Sequence, residues 1–424
     1  MISALVVFIL TLICGTPIAF ALGLAGLAGS VELGVPLRSL SGAMFAGMDS
    51  FILLAAPFYL LAGDLMHKAG VTGRLIDLAS AVTRAVRGGT AYAVVLGAVL
   101  FSGISGAAVA DAAVLGQLFG RRMPAEGYER DYTAALIASA SLLGPIIPPS
   151  IIMVIYGLMA NVPVIDLFLG GVVPGIVLAL ALCMVIAMHS VRGAGLPRPA
   201  SAMRERSTSQ TLLDTLLVLL MPIALFRGAV AGVFTVTEAG GIAVAYALLL
   251  GMVVYRTLDA RQLLASLVTT ARLSASIYII LGASNILSQV LAIGGLAGFM
   301  ADVIALFSET PLLFLFVAVG VLLVAGLALE PGPAIVLLVP IFQPIVTHLG
   351  IDPLHFGIVM IFALTIGLVT PPVGLCVFVV AQLLEIPSGR VVTRMMPFFV
   401  AVLAALALIV LVPALSTWLP MALK

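Results

Sequence analysis

The chain has 424 residues, of which 63% are apolar and 9% charged, with a formal net charge of +1 and a mean hydropathy of +1.30. A soluble globular domain carries about 25% charge, so this composition excludes one, and no basic run points to nucleic acid. Apolar runs of about 18 residues or more recur along the chain, each long enough to cross a hydrocarbon core about 30 Å thick.

Taken in chain order, the apolar runs predict helices at 2–29, 48–67, 89–119, 131–159, 163–190, 211–227, 232–256, 273–300, 311–348, 353–384 and 394–418. The first lacks a basic leader and a small-residue cleavage motif, so it reads as a membrane helix and not a removed signal peptide. Segments 68–88 and 256–273 carry spaced arginines beside apolar residues and read as helices lying in the membrane interface. The polar stretch 191–210 is a linker.

Four segments cannot run as plain helices. The runs 89–119 and 311–348 are too long for one crossing and break at Gly or Pro clusters. The runs 131–159 and 353–384 contain Gly144-Pro145-Ile146-Ile147-Pro148-Pro149 and Gly367-Leu368-Val369-Thr370-Pro371-Pro372. Proline removes a backbone donor and clashes with the preceding turn. Lipid cannot satisfy the freed groups, so such breaks persist where they line protein or a watery cavity.

The breaks are paired. At one constant spacing Gly103 meets Gly326, Gly127 meets Gly350, Gly144 meets Gly367, Pro148 meets Pro371, Pro149 meets Pro372 and Pro174 meets Pro397. This predicts an all-α polytopic membrane protein built from two structural repeats, 1–190 and 228–424, joined by a linker and connecting helix at 191–227. Paired broken segments of this kind occur in repeat-built secondary transporters. If 89–119 and 311–348 are re-entrant hairpins opening to opposite sides, the halves are inverted. The cytoplasmic side then holds 16 basic residues and the other side Arg38, Arg227 and Lys424, a strong positive-inside bias. That orientation sets the amino terminus in the cytoplasm and the carboxyl terminus in the periplasm.

The first break, Phe101-Ser102-Gly103-Ile104-Ser105-Gly106, offers hydroxyls and exposed backbone at membrane depth. A helix starting there presents free N–H groups and about half a positive charge, suited to a carboxylate. Asp111 is the acid of this half; an ionisable group inside a membrane segment costs about 2.5–3.5 kcal/mol, which favours a task for it over local capping. The second break, Gly326-Leu327-Ala328-Leu329-Glu330-Pro331-Gly332-Pro333, carries Glu330. Glu238 reads as a helix N-terminal charge, and Asp64 as interfacial. No Lys or Arg lies in a tip or a Pro-Pro break, so an anionic substrate needs helix ends, hydroxyls and a co-bound cation, and carbonyl and Ser oxygens fit Na⁺ better than a proton relay. Cys14, Cys183 and Cys376 lack metal or redox spacing, and neither a zinc, nucleotide nor nucleophile-elbow motif is present, so no enzyme is expected.

The stretches SGISGAAVADAAVLG (102–116), GPIIPPS (144–150), PAIVLLVPIFQP (333–344) and GIDPLHFGIVMIFALTIGLVTPPVG (350–374) resemble the large membrane subunit of tripartite ATP-independent periplasmic (TRAP) transporters, the DctM-like family. The resemblance implies an elevator-type transporter with scaffold and transport domains, a small four-helix DctQ-like membrane partner, a periplasmic DctP-like binding protein, and Na⁺ coupling in an inner membrane. It implies ion sites at Ser102, Gly103, Ser105 and Gly106 with Gly144, Pro145 and Pro148, and at Gly326 and Gly332 with Gly367, Thr370 and Pro371. The expected substrate contacts are Ser105, Gly106, Asp111, Glu330 and Pro333. Many relatives carry Ser at Ala107 and Asn at Ala363, so two polar contacts of the family pattern are replaced here. The leading expectation is a Na⁺-coupled importer of small organic acids; a stand-alone carboxylate symporter is the alternative, followed by a channel or structural subunit.

Overall fold

A computed structural model describes residues 2–191, 217, 218, 220–224, 227–371 and 374–423. The polar linker, most of the predicted 211–227 helix and Pro372 lie outside the described residues. Regular structure among the described residues is helical. Among the described residues seven helices are long and apolar enough to cross a membrane, and eight if the pair Arg130–Ile146 and Ile151–Ala160, bent by 42°, counts as one span.

An outer group forms first. The predicted 2–29 helix is instead two short helices, Ile2–Ile13 and Ile18–Leu33, because Gly15 takes φ 74° and Pro17 supplies no donor. Leu37–Met48 and Phe51–Lys68 follow. Val236–Leu248 packs on Ala55–Lys68. Its start is a capping box in which the Glu238 N–H donates to Thr235 Oγ1 and the Thr235 N–H donates to Glu238 Oε2, so Glu238 is the helix-start charge expected. The predicted boundary at 256–273 is overturned: Ala260–Ile293 is one helix of 34 residues. No proline interrupts it, and the exposed Arg261 and Arg272 lie along it without ending it. This helix lies against Ile18–Leu33 and Leu37–Met48, close enough that a Cβ on Gly26 would stand 3.2 Å from the Leu287 nitrogen. It stops at Gly294 and Gly295, so the predicted 273–300 helix is divided and Leu296–Phe307 is separate.

The central group holds the breaks. The first hairpin pairs Gly89–Ser105 with Ala108–Phe119, and the second pairs Pro311–Ala328 with Pro331–His348. The first broken helix is Arg130–Ala140, Leu143–Ile146 and Ile151–Ala160; the second is Pro353–Gly367 and Leu375–Leu384. Long helices Val164–Val191 and Ser388–Leu411 close the halves, each with one internal proline, Pro174 and Pro397. The last predicted helix, 394–418, starts earlier and is cut at Pro413, which leaves Ala414–Ala422 as a separate helix. Under the shift that carries Gly103 to Gly326, the helix starts Ala108 and Arg130 fall on the starts Pro331 and Pro353, and Val164 falls next to Ser388. Packing is reciprocal: the inner arm of each hairpin lies on the far segment of the other half's broken helix, Ala108–Phe119 on Leu375–Leu384 and Pro331–His348 on Ile151–Ala160. At one end Arg390 and Arg394 of Ser388–Leu411 pair with Asp131 and Glu129 at the start of Arg130–Ala140.

Candidate ion and substrate site

The first crossing is tightly closed. Ser102 and Gly103 stay helical and buried, contrary to the exposed backbone expected over 101–106, and the chain turns only after Ser105. Glycine is needed at 106, where φ is 61° and the N–H donates to the Ser102 carbonyl at 3.3 Å. The Ser105 side chain lies outside the described set. Gly103 and Gly106 face the first break: a Cβ on each would stand 3.4 Å from the Pro148 carbonyl oxygen and 3.0 Å from that of Pro149, respectively. Gly144 and Pro145 are buried beside them. The Ser102 hydroxyl donates to the Val99 carbonyl at 2.8 Å, which leaves its lone pairs as acceptors.

Asp111 is fully buried in the first turn of Ala108–Phe119. A negative charge there complements the helix N-terminus. Gly144 makes room for it, since a Cβ at that position would collide with Asp111 Oδ2. The carboxylate of the hairpin therefore sits in a notch cut by the break, which belongs to a later segment of the chain.

Sequence reasoning passes over Ser150. It takes extended angles just before Ile151–Ala160, its Cα would lie 3.2 Å from a Cβ on Gly106, and its buried Oγ has no hydrogen-bond partner. The signal is present, because a Ser between Pro-Pro and an apolar run is a helix-start signature. The carbonyls of Pro148 and Pro149, the Ser150 hydroxyl and the Asp111 carboxylate are hard oxygen donors, the kind that suit hard cations. Among the described residues no cluster of His, Cys, Asp and Glu would hold a metal through those side chains alone.

The second crossing shares the backbone device but opens outward. Gly326 and Gly367 are buried against each other, and a Cβ on Gly326 would stand 2.8 Å from the Leu364 carbonyl oxygen. Glu330 caps Pro331–His348 from an extended position and is exposed, as is Pro371. Gly332, Pro333 and Thr370 are half-buried. Thr370 Oγ1 donates to the Ile366 carbonyl at 2.7 Å, and the loop is closed by the Cys376 N–H donating to the Leu368 carbonyl at 2.9 Å. Glu330 thus differs from Asp111 in burial as well as in position. Ala363 is fully buried and Ala107 half-buried. The two crossings share a neighbourhood: buried Cys376, at the start of Leu375–Leu384, lies within electrostatic reach of both Asp111 and Glu330.

Residues 5–415 match the family model described as the tripartite ATP-independent periplasmic transporter, DctM component. The sialic acid TRAP transporter large permease protein SiaM of Vibrio cholerae is 33% identical over 96% of both chains. The C4-dicarboxylate TRAP transporter large permease protein DctM of Pseudomonas aeruginosa is 37% identical over 94% of this chain and 93% of its own. The crystal structure of the YdaH transporter of Alcanivorax borkumensis shares the fold at 17% identity, with a TM-score of 0.60 over 89% of this chain and 87% of that one. Apolar helices, broken segments and these matches agree: the chain is a multi-pass membrane protein and belongs to the DctM-component family of tripartite ATP-independent periplasmic transporters.

Proposed function

We propose that this chain is the large membrane subunit of a Na⁺-coupled importer, a transporter and not an enzyme, that moves small organic acids across a bacterial inner membrane. The observation that carries this reading is the first crossing, where two proline carbonyls, an unpartnered Ser150 hydroxyl and the buried Asp111 surround a hairpin tip. A cation held there offsets the carboxylate and adds the positive charge that an acidic substrate lacks in the rest of the site, where no Lys or Arg stands in a tip or break. The substrate would lie between Ser105-Gly106 and Glu330-Pro333, against the free N–H groups of the two inner hairpin arms. The named relatives support the substrate class, since sialic acid and C4-dicarboxylates are both organic acids.

The repeat register and reciprocal packing support two inverted halves, 1–190 and 228–424, with the central group moving as a transport domain against the outer group as scaffold. The basic-residue bias supports a cytoplasmic amino terminus and a periplasmic carboxyl terminus. A small membrane subunit and a periplasmic binding protein complete the system, in keeping with the tripartite family description.

The test is uptake of labelled organic acids into proteoliposomes holding the three-part system under an imposed Na⁺ gradient. Uptake that requires both Na⁺ and the binding protein is the expected result. Uptake by this chain alone, or driven only by a proton gradient, would replace it with the stand-alone symporter.

A further inference from the structure

Pro340 lies inside the inner arm of the second hairpin, Pro331–His348. Its missing N–H deprives the carbonyl one helical turn earlier, that of Val336, of its intrahelical donor. At membrane depth no water replaces that donor. Ser284 does: its hydroxyl, 2% exposed, donates to the Val336 carbonyl at 2.8 Å. Ser284 belongs to Ala260–Ile293, a helix of the outer group, so this bond crosses from one group to the other.

Its neighbours in the hydrogen-bond network behave differently. Asn285 donates to Ala43 and Lys68 to Ser266 inside the outer group, while Tyr156 donates to Pro353 inside the central one. Around Ser284 the contact between groups is apolar, with Leu337 packed against a cluster of Leu22, Ala25, Ala283 and Leu287. Apolar surfaces slide past one another without loss of a specific partner, whereas a hydroxyl–carbonyl bond is made only at registers where a donor faces the carbonyl; towards Ile293 the next is Ser288, a full turn away. Towards Ala260 the same face of the long helix carries Leu281 and then Ile277, neither of which has a side-chain donor. Displacement of the hairpin in that direction therefore leaves the Val336 carbonyl bare.

We infer that Ser284 is a positioning residue that latches the second hairpin to the outer group in the conformation seen here, by bonding the carbonyl that Pro340 sets free. The inference rests on the proposal that the central group moves against the outer group. An interhelical bond of this kind shifts a population ratio about three- to tenfold.

The test uses the full chain in phosphatidylethanolamine–phosphatidylglycerol liposomes, with spin labels on Ala265→Cys and Gly389→Cys. Both positions are accessible on the surface, and no neighbour lies within 4 Å of a Cβ at Gly389. Cys14→Ser and Cys183→Ala remove the thiols that are not fully buried. Distance distributions are recorded with and without Na⁺. Two populations are expected, and Ser284→Ala should move their ratio about three- to tenfold away from the one matching this structure. In a Pro340→Ala background Val336 regains its own donor, and Ser284→Ala should then change the ratio less than about twofold. An unchanged ratio in the parent background, or an equal shift in both backgrounds, overturns the latch. A single Na⁺-independent distance in the parent would overturn the moving-group reading itself, and the latch with it.

Discussion

The two crossings use one backbone device and place their acids differently. In both, a glycine-containing hairpin tip meets a glycine- and proline-broken helix, and a single sequence shift carries one arrangement onto the other. In the first, Asp111 is sealed in the notch at Gly144. In the second, the glycines touch each other, and Glu330 stands outside in the exposed mouth. Charge at the first acts through a low-dielectric interior, where a pair at a given distance interacts several times more strongly than in water. Glu330 has no such enclosure in this chain. Duplicated geometry therefore does not imply duplicated chemistry: on the proposed function, the first crossing would hold an ion and the second would admit one with its companion.

Four substitutions and one control break or sharpen this contrast. Gly144→Ala drives a methyl into the Asp111 carboxylate and should lower Na⁺-driven uptake about 100-fold at normal membrane abundance, the upper range for overpacking. The control, Gly320→Ala, has nothing within 4 Å and should stay within about twofold of the parent. Asp111→Asn keeps the shape and removes the charge; uptake should fall about tenfold while the protein still inserts, and unchanged Na⁺ dependence would deny the acid its role. Ser150→Ala removes a hydroxyl with no intramolecular bond to lose, so thermal stability should hold while the Na⁺ concentration for half-maximal uptake rises about threefold. A fall in melting temperature without a change in Na⁺ dependence would make Ser150 structural. Glu330→Gln should have the smallest effect, under about twofold on Na⁺ dependence, because its side chain is exposed and not enclosed by the break; an effect equal to that of Asp111→Asn would erase the distinction between the crossings.

The hairpin and broken-helix positions are legible because Gly106, Pro148, Pro149, Pro331 and Pro371 announce them without reference to the rest of the fold. The same punctuation at Gly15 and Pro17 is hidden inside an apolar run that reads as one helix. Arg272 misleads in the opposite sense, since a charge on the exposed side of a helix looks like a boundary when only the chain is visible. The site residues can be nominated by type, but the fit of Asp111 to Gly144 is not readable, because it depends on how two separate segments are brought together. The same holds for Ser284: Pro340 declares a freed carbonyl, while the identity of its new donor is a property of packing.

The reciprocal lie of the hairpins has a consequence for biosynthesis. Ala108–Phe119 finds its resting surface on Leu375–Leu384, which leaves the ribosome only near the end of synthesis. At about 5–20 residues per second that interval lasts on the order of tens of seconds. During it, the first hairpin lacks that surface, and its turn at Gly106-Ala107 and the Asp111 carboxyl are not yet enclosed by the later half. The early half completes its packing only when its counterpart arrives, so assembly of this protein is a problem of timing as much as of hydrophobicity.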